Sequence, residues 1–110
     1  MQLIFIHGSG SCRESWRYQT EYFKGSDAVN LPGHPDGDLL PTIAEYAEWL
    51  HGYIQQKAYR GVVLVGHSLG GGISLQYALD YPGHAAGIVT VGSGGRLRVR
   101  PKFIELLEKA

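Results

Sequence analysis

Cysteine occurs once, at Cys12, so no disulfide can form within the chain and a cysteine-rich metal site is excluded. A single thiol fits a reducing compartment, and the cytoplasm is the expected location. Net charge is also missing: 10 Lys+Arg stand against 10 Asp+Glu. That balance removes the main electrostatic case for nucleic acid or an anionic membrane as partner. The charges are interspersed, apart from Arg96, Arg98 and Arg100. No apolar run is long enough to span a bilayer. Met1-Gln-Leu-Ile-Phe-Ile6 does not read as a signal peptide, because it lacks a basic start and a long apolar middle. No internal repeat or low-complexity linker is present. With 44% hydrophobic and 18% charged residues, the 110-residue chain reads as globular and of one-domain size.

What the chain has in excess is glycine. Its 16 glycines are about twice the usual share, and they cluster at the ends of apolar runs. Leu3-Ile-Phe-Ile6 is a buried-strand pattern closed by His7-Gly8-Ser9-Gly10. Residues 14–23, with Trp16, Tyr18, Tyr22 and Phe23, suggest a short helix. Ala28-Val-Asn-Leu31 reads as a strand stopped by Pro32-Gly33, with a loop after it. Thr42, with Glu45 three residues on, has the capping-box pattern that opens a helix. Ile43, Tyr46, Ala47, Leu50, Tyr53 and Ile54 repeat along that helix at helical spacing. Val62-Val-Leu-Val65 is a buried strand, broken by Gly66 to Gly72. Ile73 to Leu79 form a helix that ends at Tyr81-Pro-Gly, and residues 86–91 form a fourth strand. Pro101 to Ala110 has the pattern of a further amphipathic helix, with Phe103, Ile104, Leu106 and Leu107 as its apolar members. Alternation of this kind predicts an α/β fold: an open, doubly wound, mostly parallel sheet of about four strands with helices on both faces. Ligands bind such sheets at the carboxyl ends of the strands, where His7 to Gly10 and Gly66 to Gly72 fall.

Gly66-His67-Ser68-Leu69-Gly70 matches G-x-S-x-G in the strand-to-helix setting that gives the motif meaning. A turn this tight puts Ser68 at its apex in a strained conformation. Side chains two places either side would collide, hence Gly66 and Gly70. The apex lifts the Ser68 hydroxyl clear of the sheet and aims the first helical N–H groups, Leu69 foremost, at any oxyanion formed beside it. Gly71 and Gly72 are poor helix formers and suggest close helix–strand contact or substrate access. A phosphate-binding loop would need a lysine that is not there, and Arg13 stands where a dinucleotide fingerprint needs a third glycine.

Three motifs in order, Ile6-His-Gly-Ser-Gly10 with Trp16, Leu31-Pro-Gly-His34, and Gly66-His-Ser-Leu-Gly-Gly71, resemble the α/β-hydrolase superfamily in its small esterase, lipase and C–C hydrolase branch. The resemblance implies Ser68 as nucleophile and the backbone N–H groups of Ser9 and Leu69 as the oxyanion hole. His7, Gly8, Gly66, His67 and Gly70 would support the turns. It implies a small-molecule, ester-like substrate, with no cofactor and no metal. Asn30 departs from the family's usual Asp, which touches loop support rather than chemistry. His34 is expected to brace its own loop, His51 and His84 to lie on the surface, Cys12 to be a small packing residue, and the tyrosines and Trp49 to be core or helix surface.

The family order is Ser, then an acid, then His. After Ser68 come only Asp80, Glu105, Glu108 and His84. Asp80 and His84 flank the far end of the helix that starts at the elbow. About twelve residues at 1.5 Å each place them roughly 18 Å from Ser68, too far to complete a triad. By resemblance the four strands correspond to the family's third to sixth. Residues 1–95 would then be the N-terminal half of the core and 96–110 the start of a lid or cap. Strand 86–91 would be an apolar edge open to self-association or complementation. The expectation is therefore the N-terminal part of a longer serine hydrolase, inactive alone. A non-catalytic binding module and a C–C hydrolase or lyase are the alternatives on the same fold.

Overall fold

The computed structural model describes residues 1–34 and 37–91. Strand β1 (Gln2–Ile6) runs through a 3-10 turn (Arg13–Trp16) into helix α1 (Arg17–Tyr22), then β2 (Asp27–Val29), α2 (Ile43–Lys57), β3 (Val62–His67), α3 (Leu69–Asp80) and β4 (Gly87–Val91). All strand pairings are parallel, in the order β2-β1-β3-β4. The doubly wound α/β sheet expected from the alternation is what forms.

The order explains the layering. The chain steps from β1 one way to β2, then back past β1 to β3 and on to β4. Right-handed crossovers then put α1 on one face and α2 with α3 on the other. Strand alternation serves both faces. Ile4, Ile6, Val29, Val62 and Leu64 meet Tyr46, Ala47, Leu50 and Ile54 of α2 and Ile73 and Tyr77 of α3, all buried. Each Val, Leu or Ile among them contributes about 1.5–3 kcal/mol through burial. Phe5 and Ala28 point the other way, against Trp16, with Phe5 and Trp16 stacked at 4.9 Å. That second face is covered only in part: Val65 is half-buried and Val89 is 41% exposed. Among the described residues β4 is an edge.

The boundaries differ from the sequence pattern in three places. The first helical segment is split, because its first turn is 3-10 and only Arg17–Tyr22 is α-helical. Strand β2 stops at Val29 rather than Leu31. Asn30 instead accepts the Arg13 N–H on Oδ1 at 2.8 Å, and the Leu31 N–H turns to a buried imidazole. Strand β4 starts at Gly87 rather than Ala86, although the Ala86 N–H already donates to the Val62 carbonyl at 2.7 Å. Helix α2 begins as its capping pattern predicts, with Thr42 Oγ1 accepting the Glu45 N–H at 3.1 Å. The expected lid helix over 96–110 lies outside the described residues.

Two polar clusters were not legible in advance. Asp27, at the start of β2, accepts both the Tyr59 hydroxyl at 2.9 Å and the closer Tyr53 hydroxyl. Burial, then the Asp27 hydrogen bond, pushes the Tyr53 phenol well up from its ordinary range. His51 is not the surface residue its spacing suggests. Its ring lies half-buried, 4.0 Å from and parallel to Tyr81, with Tyr77 within 3.3 Å of its Nδ1 and the exposed His84 edge-on at 5.2 Å. Tyr77 and Tyr81 come from one end of α3, so the histidine is drawn in by aromatic packing that a single-helix pattern cannot show.

Candidate active site

Strand β3 runs straight into α3 through one residue. Ser68 has φ 54° and ψ −111°, and among the described residues only it and Ala58 have positive φ without being glycine. For an L-residue this is the left-handed half of conformational space, and such a residue persists only where its surroundings hold it. Those surroundings are visible. A Cβ on Gly66 would collide with the Gly70 carbonyl, and one on Gly70 would collide with the carbonyl end of β1 at Ile6. The two glycines therefore do different work: Gly66 lets the turn close on itself, and Gly70 lets α3 sit on β1. A Gly71 Cβ would lie 3.3 Å from the Gly66 oxygen and 3.5 Å from Thr90, so Gly71 lets the helix approach β4. Gly72 does not share that role, since its nearest neighbour would be Ile43 Cδ1 at an ordinary 3.7 Å.

The elbow is fixed by its main chain. The Ser68 N–H donates to the Val91 carbonyl at 3.1 Å, and the helix ladder opens with Gly72 N–H to the Ser68 carbonyl at 3.1 Å. Leu69 therefore stands before the first helical bond, where N–H groups face outward along the positive end of the helix.

The end of β1 meets this turn. A Cβ on Gly8 would lie 3.0 Å from His67 Nδ1 and 3.4 Å from Ser68 Cβ, so only a glycine lets the His7–Gly10 turn touch the elbow this closely. His7 is fully buried and shapes that turn. The Leu31 N–H donates to its Nε2 at 3.0 Å, which leaves the proton on Nδ1 to reach the Gly8 carbonyl at 2.8 Å. Burial, with a smaller push from neighbouring His34, holds the His7 pKa below its ordinary 6.5, against the opposing pull of the Gly8 carbonyl. His34 braces its own loop as expected, with Nδ1 donating to the Pro32 carbonyl at 3.2 Å.

A cavity of about 380 Å³ opens at these strand ends. Ser68 and His67 line it from the elbow, Gly8 and Ser9 from the β1 turn, and Val91 from β4. Its remaining wall is Ser11, Ser15, Trp16 and Gln19, which sequence reasoning did not assign. Ser11 precedes the 3-10 turn, Ser15 and Trp16 lie in it and Gln19 is in α1, so no single helical periodicity marked this wall in the sequence. No charged side chain lines the cavity among the described residues. All eight expected site residues (His7, Gly8, Ser9, Gly66, His67, Ser68, Leu69 and Gly70) gather at this point. Cys12 is half-buried and does not line it. Asp80 and His84 lie elsewhere: Asp80 accepts the Gln76 amide on its own helix, and His84 packs on His51 and Tyr81.

A glycine-flanked elbow at the carboxyl end of a parallel sheet, faced by a second glycine turn, defines a class. The profile of the Alpha/beta hydrolase family matches residues 3–110, and the chain belongs to that family. It is 29% identical over 101 residues to the dihydrolipoyllysine-residue acetyltransferase component of the acetoin cleaving system of Cupriavidus necator, across 84% of this chain and 26% of that protein. A Mycoplasma pneumoniae protein that bears an esterase/lipase name is 35% identical over 80 residues, 66% of this chain and 30% of its own length. Among solved structures, a thermophilic esterase superposes with a TM-score of 0.70 at 33% identity, over 97% of this chain and 42% of that one. The chain spans under a third of the length of both curated relatives. No helix among the described residues is long and apolar enough to cross a membrane.

Proposed function

We propose that this chain is the N-terminal part of a serine hydrolase that cleaves an ester-like bond through an acyl-enzyme on Ser68. The observation that carries the reading is the Ser68 backbone, held at φ 54° between two glycines whose replacement would collide with main chain. Such a bend has one evident use, which is to present the hydroxyl at the cavity.

Ser68 Oγ attacks the substrate carbonyl carbon as a base takes its proton. The carbonyl oxygen becomes an oxyanion held by the N–H groups of Ser9 and Leu69. The intermediate collapses, the C–O bond to the alcohol breaks, and the alcohol leaves with the proton from the base. Water then repeats the sequence and releases the acid. Removing one oxyanion donor in such a site typically costs about 10²–10³ in rate. On this reading the base and its orienting acid are supplied by sequence beyond this chain: Asp80 and His84 are engaged at the opposite end of α3, and Glu105 and Glu108 lie outside the described residues. The described strands and helices, through Val91, belong on the same reading to the N-terminal half of the core. Further strands of the whole protein, or of a second copy, would then pair beside β4, which is the edge strand among the described residues. Among the described residues the cavity wall carries no Asp, Glu, Lys or Arg, which suits an uncharged ester.

Full-length protein treated with a fluorophosphonate should be labelled at Ser68, and Ser68→Ala should abolish both labelling and p-nitrophenyl ester turnover while leaving the fold intact. Equal turnover in the two proteins would refute the assignment. An unlabelled but ligand-binding wild type would favour the binding-module reading.

A further inference from the structure

The oxyanion turn is tied to a residue of α2 that no motif points to. Tyr46 is buried, and its hydroxyl donates to the Pro32 carbonyl at 3.0 Å while accepting the Leu40 N–H at 3.1 Å. One phenol therefore closes both ends of the loop after β2. The Pro32 carbonyl also takes the proton of His34 Nδ1 at 3.2 Å, and the His34 N–H donates to the Leu31 carbonyl at 2.9 Å. Leu31 in turn holds His7 Nε2, and His7 holds the Gly8 carbonyl. Gly8 is the residue whose backbone lies against His67 and Ser68, and its carbonyl belongs to the same peptide as the Ser9 N–H.

From these contacts we infer that Tyr46 is a positioning residue for the oxyanion hole, acting through Pro32, Leu31 and His7 on the Ser9 N–H; this rests on the serine-hydrolase reading. The coupling is geometric. His7 can hold the Gly8 carbonyl in one place only if its own ring is held, and the ring is held by the Leu31 N–H. Leu31 and Pro32 share a peptide bond, so the carbonyl gripped by Tyr46 lies one residue from the N–H that grips His7. The Leu31–His7 and His7–Gly8 bonds are buried, while the Tyr46 bonds to Pro32 and Leu40 are part-buried, so the inner links of the chain are the ones that water replaces least readily. Catalytic donors tolerate little displacement, and a misplacement of the order of 1 Å can cost about a hundredfold in rate. A core tyrosine that merely filled space would need no hydroxyl; this one has a donor and an acceptor, both on the same loop.

The test uses the full-length protein with Tyr46→Phe, which keeps the ring and removes the hydroxyl. Two readouts are taken: hydrogen exchange at the Leu31 and Ser9 amides, and ester turnover with fluorophosphonate labelling at a temperature where circular dichroism shows the variant folded. The expectation is faster exchange at Leu31, with kcat and the labelling rate down about tenfold and KM within twofold. A purely structural Tyr46 would lower the melting temperature but leave kcat unchanged, and that result overturns the proposal. So does lower kcat with unchanged exchange at Leu31. If Tyr46→Phe fails to fold, His34→Phe, which removes the other side-chain donor on the Pro32 carbonyl, is judged by the same criteria. If wild type and Ser68→Ala are equally inert, the hydrolase reading fails, and unchanged exchange at Leu31 would still refute the clamp on its own.

Discussion

Three consecutive glycines in α3 supply a graded test of how the elbow is packed. Alanine is preferred to glycine in a helix interior by about 1 kcal/mol, so each Gly→Ala change starts with that gain. The room around each new methyl group decides the net effect. At Gly72 the methyl meets only Ile43 Cδ1 at 3.7 Å, ordinary contact, so Gly72→Ala should stabilise by about 1 kcal/mol. At Gly71 it meets the Gly66 oxygen at 3.3 Å and Thr90 at 3.5 Å, so the gain and the crowding should nearly cancel. At Gly70 it meets backbone atoms of Ile6 and His7, which no rotamer change can move aside. Either α3 lifts from β1 or the strand end shifts, and overpacking of this kind costs about 1–3 kcal/mol or more. Contacts under 3.0 Å to backbone put Gly70 at the upper end of that cost, so after the alanine gain Gly70→Ala should still destabilise, by about 2 kcal/mol or more. It should also lose fluorophosphonate labelling, because the displaced atoms carry the His7–Gly8 turn. Urea denaturation of the three full-length variants gives the order directly. Equal effects at positions 70 and 72, or a Gly70→Ala protein that labels at the wild-type rate, would contradict this packing.

Acid should weaken the fold through His7. Its folded pKa lies below the ordinary 6.5, so below that pH the unfolded chain takes up a proton that the folded chain refuses. Stability should therefore fall as pH drops from about 6.5, and a His7→Asn variant should show a flatter urea midpoint between pH 7.5 and pH 5. Thr42→Ala removes the side chain that caps α2 and should cost about 1 kcal/mol in the same assay. Trp16→Phe should cost less stability than a buried aromatic normally does. The indole N–H it removes has no acceptor among the described residues, and its loss offsets part of the lost packing; a drop above about 3 kcal/mol in thermal unfolding would count against this.

The strands and the elbow were legible because both rest on local rules. Val62-Val-Leu-Val65 can hardly be anything but a buried strand, and a serine between two glycines at its end admits few other turns. The capping of α2 was legible for the same reason, since Thr42 and Glu45 are three residues apart. What escaped were contacts between distant segments. Nothing near His51 in sequence predicts that Tyr77 and Tyr81 will enclose its ring. Nothing near Tyr46 predicts a bond to Pro32, fourteen residues back. Leu31 left its expected strand because a buried imidazole 24 residues away needed its N–H, a demand visible only once β1 and β2 lie side by side.

The bend at position 68 also sets stability against use. Glycine would occupy that backbone more comfortably than serine, by about 1–2 kcal/mol. A chain selected for robustness alone would drift to Ser68→Gly and be sturdier without its hydroxyl. Keeping serine there leaves a small permanent tension at the carboxyl end of the sheet, and the close fit of the neighbouring glycines stops that tension from relaxing.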